Sequence, residues 1–139
     1  MKLKSIAREK AFKMLYQAEM TNFKPDRLIK QFWELDEEKN EKVKLLANKL
    51  FRLVIDKKGY ADDIISKYLK EGWTFERLTE TVKNTLRLGI AELFNTETPV
   101  YAILDEYTTL AKKYEDEKAA SFVNGVLEKI RKDFNIERG

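Results

Sequence analysis

Apolar residues recur along most of the chain at the i, i+3, i+4, i+7 spacing that forms one stripe on a helix of 3.6 residues per turn. Val43, Leu46, Ala47, Leu50 and Val54 make one such stripe, and Ala61, Ile64, Ile65, Tyr68 and Leu69 a second. Val100, Ile103, Leu104, Tyr107, Leu110, Ala111 and Tyr114 make a third; Ala119, Phe122, Val123, Val126, Leu127 and Ile130 make a fourth. Ala7, Ala11, Met14, Leu15 and Ala18 mark a helix over about 5–20, and a short helix follows Pro25 up to about Trp33. One more runs from Phe75 through Leu78, Val82, Leu86 and Ile90 to Phe94. No stretch alternates with the period of two that a half-buried strand requires. The pattern predicts an all-α chain of about seven helices.

The boundaries fit that reading. Pro25 and Pro99 suit the first helical position, where the missing N–H costs nothing, with Thr98 as N-cap before Pro99. Thr74, after Gly72-Trp73, is a second N-cap. Gly72 falls near the middle and divides the pattern into two packed bundles, about 1–71 and 73–139, within one domain.

Composition narrows the chemistry. The 139 residues are 43% hydrophobic and 37% charged, enough to bury a core without staples. They contain no Cys and no His, which removes zinc fingers, cysteine nucleophiles, Ser-His-Asp triads and imidazole bases. No phosphate-cradling glycine loop is present, since the five glycines are scattered. The start shows no signal peptide, and charges interrupt every apolar run before spanning length, so a soluble cytoplasmic protein is expected. Neither cofactor nor metal is expected.

The net charge of +3 hides a polarised chain. Residues 1–13 hold Lys2, Lys4, Arg8, Lys10 and Lys13 against Glu9; residues 34–41 hold Glu34, Asp36, Glu37, Glu38 and Glu41 against Lys39. At 100° per residue, Lys10, Lys13 and Gln17 lie opposite Ala11, Leu15 and Ala18, with Tyr16 on the border. Cations there can neutralise phosphates and an aromatic can stack on a base, which is one reading; a solvated amphipathic face is the other.

Three ordered blocks add to this. They are Ala7-Arg8-Glu9-Lys10-Ala11-Phe12-Lys13-Met14-Leu15-Tyr16; Trp73 to Phe94 with Leu86-Arg87-Leu88-Gly89-Ile90-Ala91-Glu92-Leu93; and Leu104-Asp105-Glu106, Leu110-Ala111-Lys112-Lys113-Tyr114, Lys118 and Phe122-Val123-Asn124-Gly125-Val126-Leu127. In this order and spacing they resemble the NusB family of transcription antitermination factors over nearly the whole chain, the final hexapeptide being the most specific piece. The resemblance implies seven helices in two bundles, no enzymatic activity, and binding of single-stranded boxA RNA together with the ribosomal protein NusE. It implies a role in read-through by RNA polymerase within a larger antitermination complex. Carried over residue by residue, the RNA contacts are Lys2, Lys4, Arg8, Lys10 and Tyr16, with Lys118 and Phe122; Lys13 joins them from the ridge. Tyr16, Met20 and Tyr68 are the expected partner contacts. The family's N-terminal arginine run is diluted here to Lys4-Ser5-Ile6-Ala7-Arg8, and lysine lacks arginine's planar fork. Two rivals stand beside this reading. One is the RNA-binding domain of an RNA cytosine methyltransferase, for whose cofactor domain the chain leaves no room; the other is a pure interaction scaffold.

Several residues carry narrower expectations. Phe122, at the edge of its apolar arc, is either core or a half-exposed stacking ring. Asn124 and Gly125 lie on the polar side, where Gly costs about 1 kcal/mol against Ala. Close helix packing, more than close RNA approach, explains Gly125. Arg87 sits between Leu86 and Leu88 and calls for a carboxylate, with Glu106 as candidate. Glu80 and Glu92 are expected at the surface, and the Asp62-Asp63 and Glu37-Glu38 pairs in solvent.

Overall fold

The computed structural model describes residues 2–139, and all regular structure among them is helical. The helices are α1 (Leu3–Thr21), α2 (Pro25–Leu35), α3 (Glu41–Lys67), α4 (Glu80–Asn95), α5 (Val100–Tyr114) and α6 (Glu117–Asp133), with a 3-10 turn at Phe75–Arg77. The stripes expected at 43–54 and 61–69 belong to one helix, α3, whose dihedrals leave the helical region at Lys57 (φ −116°, ψ 17°). The helix expected from Phe75 to Phe94 is instead a 3-10 turn followed by α4. Thr79, not Thr74, is its working cap: the Thr79 hydroxyl accepts from the Val82 N–H at 3.2 Å, whereas Thr74 makes no side-chain cap bond. Among the described residues no helix is long and apolar enough to cross a membrane.

Two compact units divide at the α3 irregularity, residues 1–56 and 57–139. The expected dividing glycine, Gly72, therefore lies inside the second unit, in a turn where its φ of +89° suits a residue without Cβ. In the first unit α1 packs on α2. Ala7, Ala11, Met14, Leu15, Leu28, Phe32, Val43, Ala47, Leu50 and Val54 are buried, as the stripes require. Two side-chain bonds tie α2 to α3: the Trp33 indole N–H donates to Asn48 Oδ1 at 2.7 Å, and Arg52 pairs with Asp26 at 2.5 Å. Pro25 takes the first turn of α2 as expected. Asn22, in the left-handed conformation at φ 58°, closes α1.

In the second unit α4, α5 and α6 pack on one another. Every residue of α4 from Asn84 to Leu93 is buried, so its polar members need internal partners. Arg87 finds one in Asp62, its Nε and Nη2 donating to the two carboxylate oxygens at 2.7 and 2.9 Å, while Nη1 donates to Asn84 Oδ1 at 2.9 Å. The buried ion pair expected at Arg87 thus includes a carboxylate assigned to solvent. Glu92, also expected at the surface, is only 2% exposed. It accepts hydrogen bonds from the Tyr107 hydroxyl and, at 3.0 Å, from Thr98. Spending Thr98 on Glu92 leaves Pro99 itself in the cap position of α5. Arg138 closes this corner: its guanidinium donates to the carbonyls of Glu92, Leu93 and Thr98 at 2.9, 3.1 and 2.9 Å, and its own carbonyl accepts from Val100 N–H at 3.0 Å. Of these, the Leu93 carbonyl and the Val100 N–H are groups that helix ends leave unpaired.

Close helix packing falls on Gly89 and not on Gly125. A Cβ at Gly89 would stand 2.8 Å from both Cδ atoms of Leu127, whereas one at Gly125 would meet nothing within 4 Å. Asn124 and Gly125 are both exposed on α6, so Gly125 does not perform the packing role expected of it.

Candidate nucleic-acid interface

The first candidate surface is α1. Lys2 and Lys4 are exposed at its start, Lys13 is partly buried, and Tyr16 is 48% exposed. Two of the expected cations are not presented to solvent. Arg8 is 5% exposed, because it falls on the same side as the buried Ala7, Ala11 and Leu15. Lys10 pairs with Asp36, which closes α2, at 2.9 and 3.1 Å, and the two side chains are only 13% and 15% exposed. Partial burial pushes the Asp36 carboxyl up. The Lys10 bond, the Glu38 N–H and the charges of Lys10 and Lys13 outweigh that and hold it below its ordinary value. Met20, one turn beyond Tyr16, is 69% exposed.

The second surface lies at the start of α6. Here a groove of about 470 Å³ is lined by Lys70, Trp73, Arg77, Val82, Lys118 and Phe122, among others. Phe122 is half-buried and Lys118 exposed, which places both expected residues on one concavity. Between its two readings, Phe122 is neither fully core nor free. Sequence reasoning missed Trp73 and Arg77. Trp73 is 53% exposed, and the Arg77 guanidinium sits over its ring at 5.2 Å, its Nη1 donating to the Gly72 carbonyl at 3.4 Å. The signal that could have found them is a tryptophan in a glycine turn, outside every apolar stripe.

Polar turns fix this groove. Thr79 donates to Glu115 Oε1 at 2.6 Å, and Asp116 caps α6 by accepting from Ala119 N–H at 2.8 Å. These bonds fix the two acidic side chains that line the groove, beside its three cations Lys70, Arg77 and Lys118. Phe75 is covered by Lys83 and Arg87 at 5.0 and 5.2 Å from its ring centre, so the buried Arg87 pair also anchors the 3-10 turn that carries Arg77. Tyr68, the third expected partner contact, is partly buried; burial and its 2.8 Å bond to Asp133 push its phenol up to about 12.

Six helices with no strand among the described residues, one basic helix and one groove of aromatic and cationic side chains define the class: an all-α protein with a surface chemically complementary to nucleic acid. The chain belongs to the NusB family, which it matches over residues 5–132. The transcription antitermination protein NusB of Aquifex aeolicus (strain VF5) is 38% identical over 136 residues, 96% of this chain and 90% of that one. That of Anaeromyxobacter dehalogenans (strain 2CP-1 / ATCC BAA-258) is 35% identical over 124 residues, 89% of this chain and 87% of that one. A crystal structure of the antitermination factors NusB and NusE in complex with dsRNA superposes with a TM-score of 0.86 at 36% identity, covering 96% of this chain and 98% of that one.

Proposed function

We propose that the chain is a non-catalytic transcription antitermination factor that binds RNA together with a NusE partner in the cytoplasm. Its RNA is single-stranded and of the boxA type, and its setting is the RNA polymerase antitermination complex. Family membership at this identity supports the factor and its partner, and the solved NusB and NusE assembly with RNA supports RNA as ligand. The observation that carries the binding mode is the groove where Lys118 and Phe122 meet Trp73 and Arg77. Bases stack on Phe122 and Trp73 there, while Lys118 and Arg77 neutralise phosphates. On α1, Lys2, Lys4 and Lys13 add charge and Tyr16 a ring. Arg8 supports α1 from inside. Tyr16 and Met20, on one face of α1, together with Tyr68, meet the protein partner.

Titration of fluorescent boxA RNA with and without NusE, at several salt concentrations, tests this. About five lysine and arginine contacts on a single strand give a log-log slope of about −3.5. Binding that ignores both salt and RNA sequence would overturn it.

A further inference from the structure

One cation of the basic helix is already occupied by an anion of the same chain. Lys10 Nζ lies 2.9 and 3.1 Å from the two oxygens of Asp36, an arrangement of two anionic oxygens around one ammonium that an RNA phosphate would also offer. The pair is unlike a mobile surface contact. Both side chains are mostly buried, and Asp36 is fixed by its own backbone: its N–H donates to the Phe32 carbonyl at 3.0 Å, and its Oδ2 accepts from Glu38 N–H at 3.1 Å. Glu37 and Glu38 follow it in sequence, so the surrounding segment carries the same sign.

Desolvation offsets much of the attraction in a mostly buried ion pair, and a lysine meant only to meet phosphate would gain nothing from a partner that RNA must displace. The arrangement makes sense as a filter. Non-specific binding to RNA is almost wholly electrostatic, whereas specific binding adds contacts that do not depend on salt. Removing a cation lowers by one factor the affinity of every RNA free to place a phosphate on it, and leaves unchanged an RNA whose stacked bases fix its phosphates elsewhere.

We infer that Asp36 is a specificity determinant of this protein: its carboxylate stands in for an RNA phosphate on Lys10, so that α1 discriminates against RNA offering charge alone. This rests on the RNA-binding reading above. Asp36 touches no RNA itself and acts through Lys10.

The test uses the full chain and a short oligouridylate as the non-specific probe, with melting curves for every variant. Asp36→Asn should tighten oligouridylate binding about fivefold near 0.1 M salt and steepen the log-log slope by about 0.7, the effect of one further phosphate contact on a single strand. The gain for boxA RNA should be smaller, so the ratio of the two affinities falls. Lys10→Gln keeps an N–H donor for Asp36 and should flatten the slope far more in the Asp36→Asn background than in the parent chain. An Asp36→Asn protein that stays folded yet binds oligouridylate no better overturns the inference. So does Lys10→Gln flattening the parent slope by a full contact, a result that requires no Asp36 variant and decides the matter if Asp36→Asn melts below the assay temperature. If the parent chain binds boxA RNA in either case, only this inference falls; if neither parent nor variant binds any RNA at low salt, the RNA-binding reading falls with it.

Discussion

The basic face of α1 and the groove at the start of α6 meet solvent with the same residue types but hold them in different ways. On α1 the cations come in succession along one helix, and the protein takes two of them back: Arg8 into the interior and Lys10 onto Asp36. At α6 the functional side chains arrive from separate elements, Trp73 and Arg77 from the turn and Lys118 and Phe122 from the helix. Their positions depend on caps and on the Arg87 pair behind them. A charged surface written along one helix is easy to read and easy to overestimate. A surface assembled from several elements is harder to read and more exactingly held.

The sharpest way to break this contrast is to damage the support of the groove. Arg87→Met leaves Asp62 and Asn84 without their cation, and removing one partner of a buried pair costs about 3 kcal/mol when the other retains some solvent. At this chain length that lowers the melting temperature by about 10 °C. Boxa affinity at low temperature should fall through the groove while the salt slope from α1 persists; a thermal scan paired with titrations checks both.

A smaller effect is expected from Phe122→Ala. Losing a stacked ring should cost about tenfold in RNA affinity with the salt slope intact. Early melting with normal binding at low temperature would make Phe122 core and leave stacking to Trp73, whose substitution by Ala should affect binding without affecting melting, since it is half exposed.

On α1 the corresponding change is electrostatic. Lys13→Ala should flatten the slope by about 0.7, and Lys10→Ala by less, because Lys10 is already neutralised. Equal effects would mean that the Asp36 pair opens freely in the presence of RNA.

The smallest effects separate the two units by pH. Asp36 titrates below its ordinary value in the folded chain, so its contribution to stability is present above about pH 4 and is lost as pH falls through the depressed folded value. Tyr68 titrates above its ordinary value of 10.0, so its contribution is complete below that and is lost as pH rises toward about 12. Melting temperatures of Asp36→Asn should differ from the parent at neutral pH and converge in acid; those of Tyr68→Phe should differ at neutral pH and converge only at strongly alkaline pH.

What the sequence determined by itself is local. Helix type follows from the 3.6 period because a residue's neighbours three and four positions away share its face, so the stripes at 43–54, 100–114 and 119–130 become buried helix faces without reference to anything distant. Lys118 and Phe122 as a pair came from the family resemblance, and their spacing of four places them on one face of α6. Which charges meet and which glycine is crowded depends on how the helices pack. Lys10 finds Asp36 across 26 residues and Arg87 finds Asp62 across 25, and no periodicity links such positions. Gly89 is tight because Leu127 of another helix stands over it, and Gly125 is open because nothing does. Glu92 shows the limit most plainly: its side chain reads as a surface group until Tyr107 and Thr98 are brought to it, since a buried polar group needs hydrogen-bond partners and the fold supplies them.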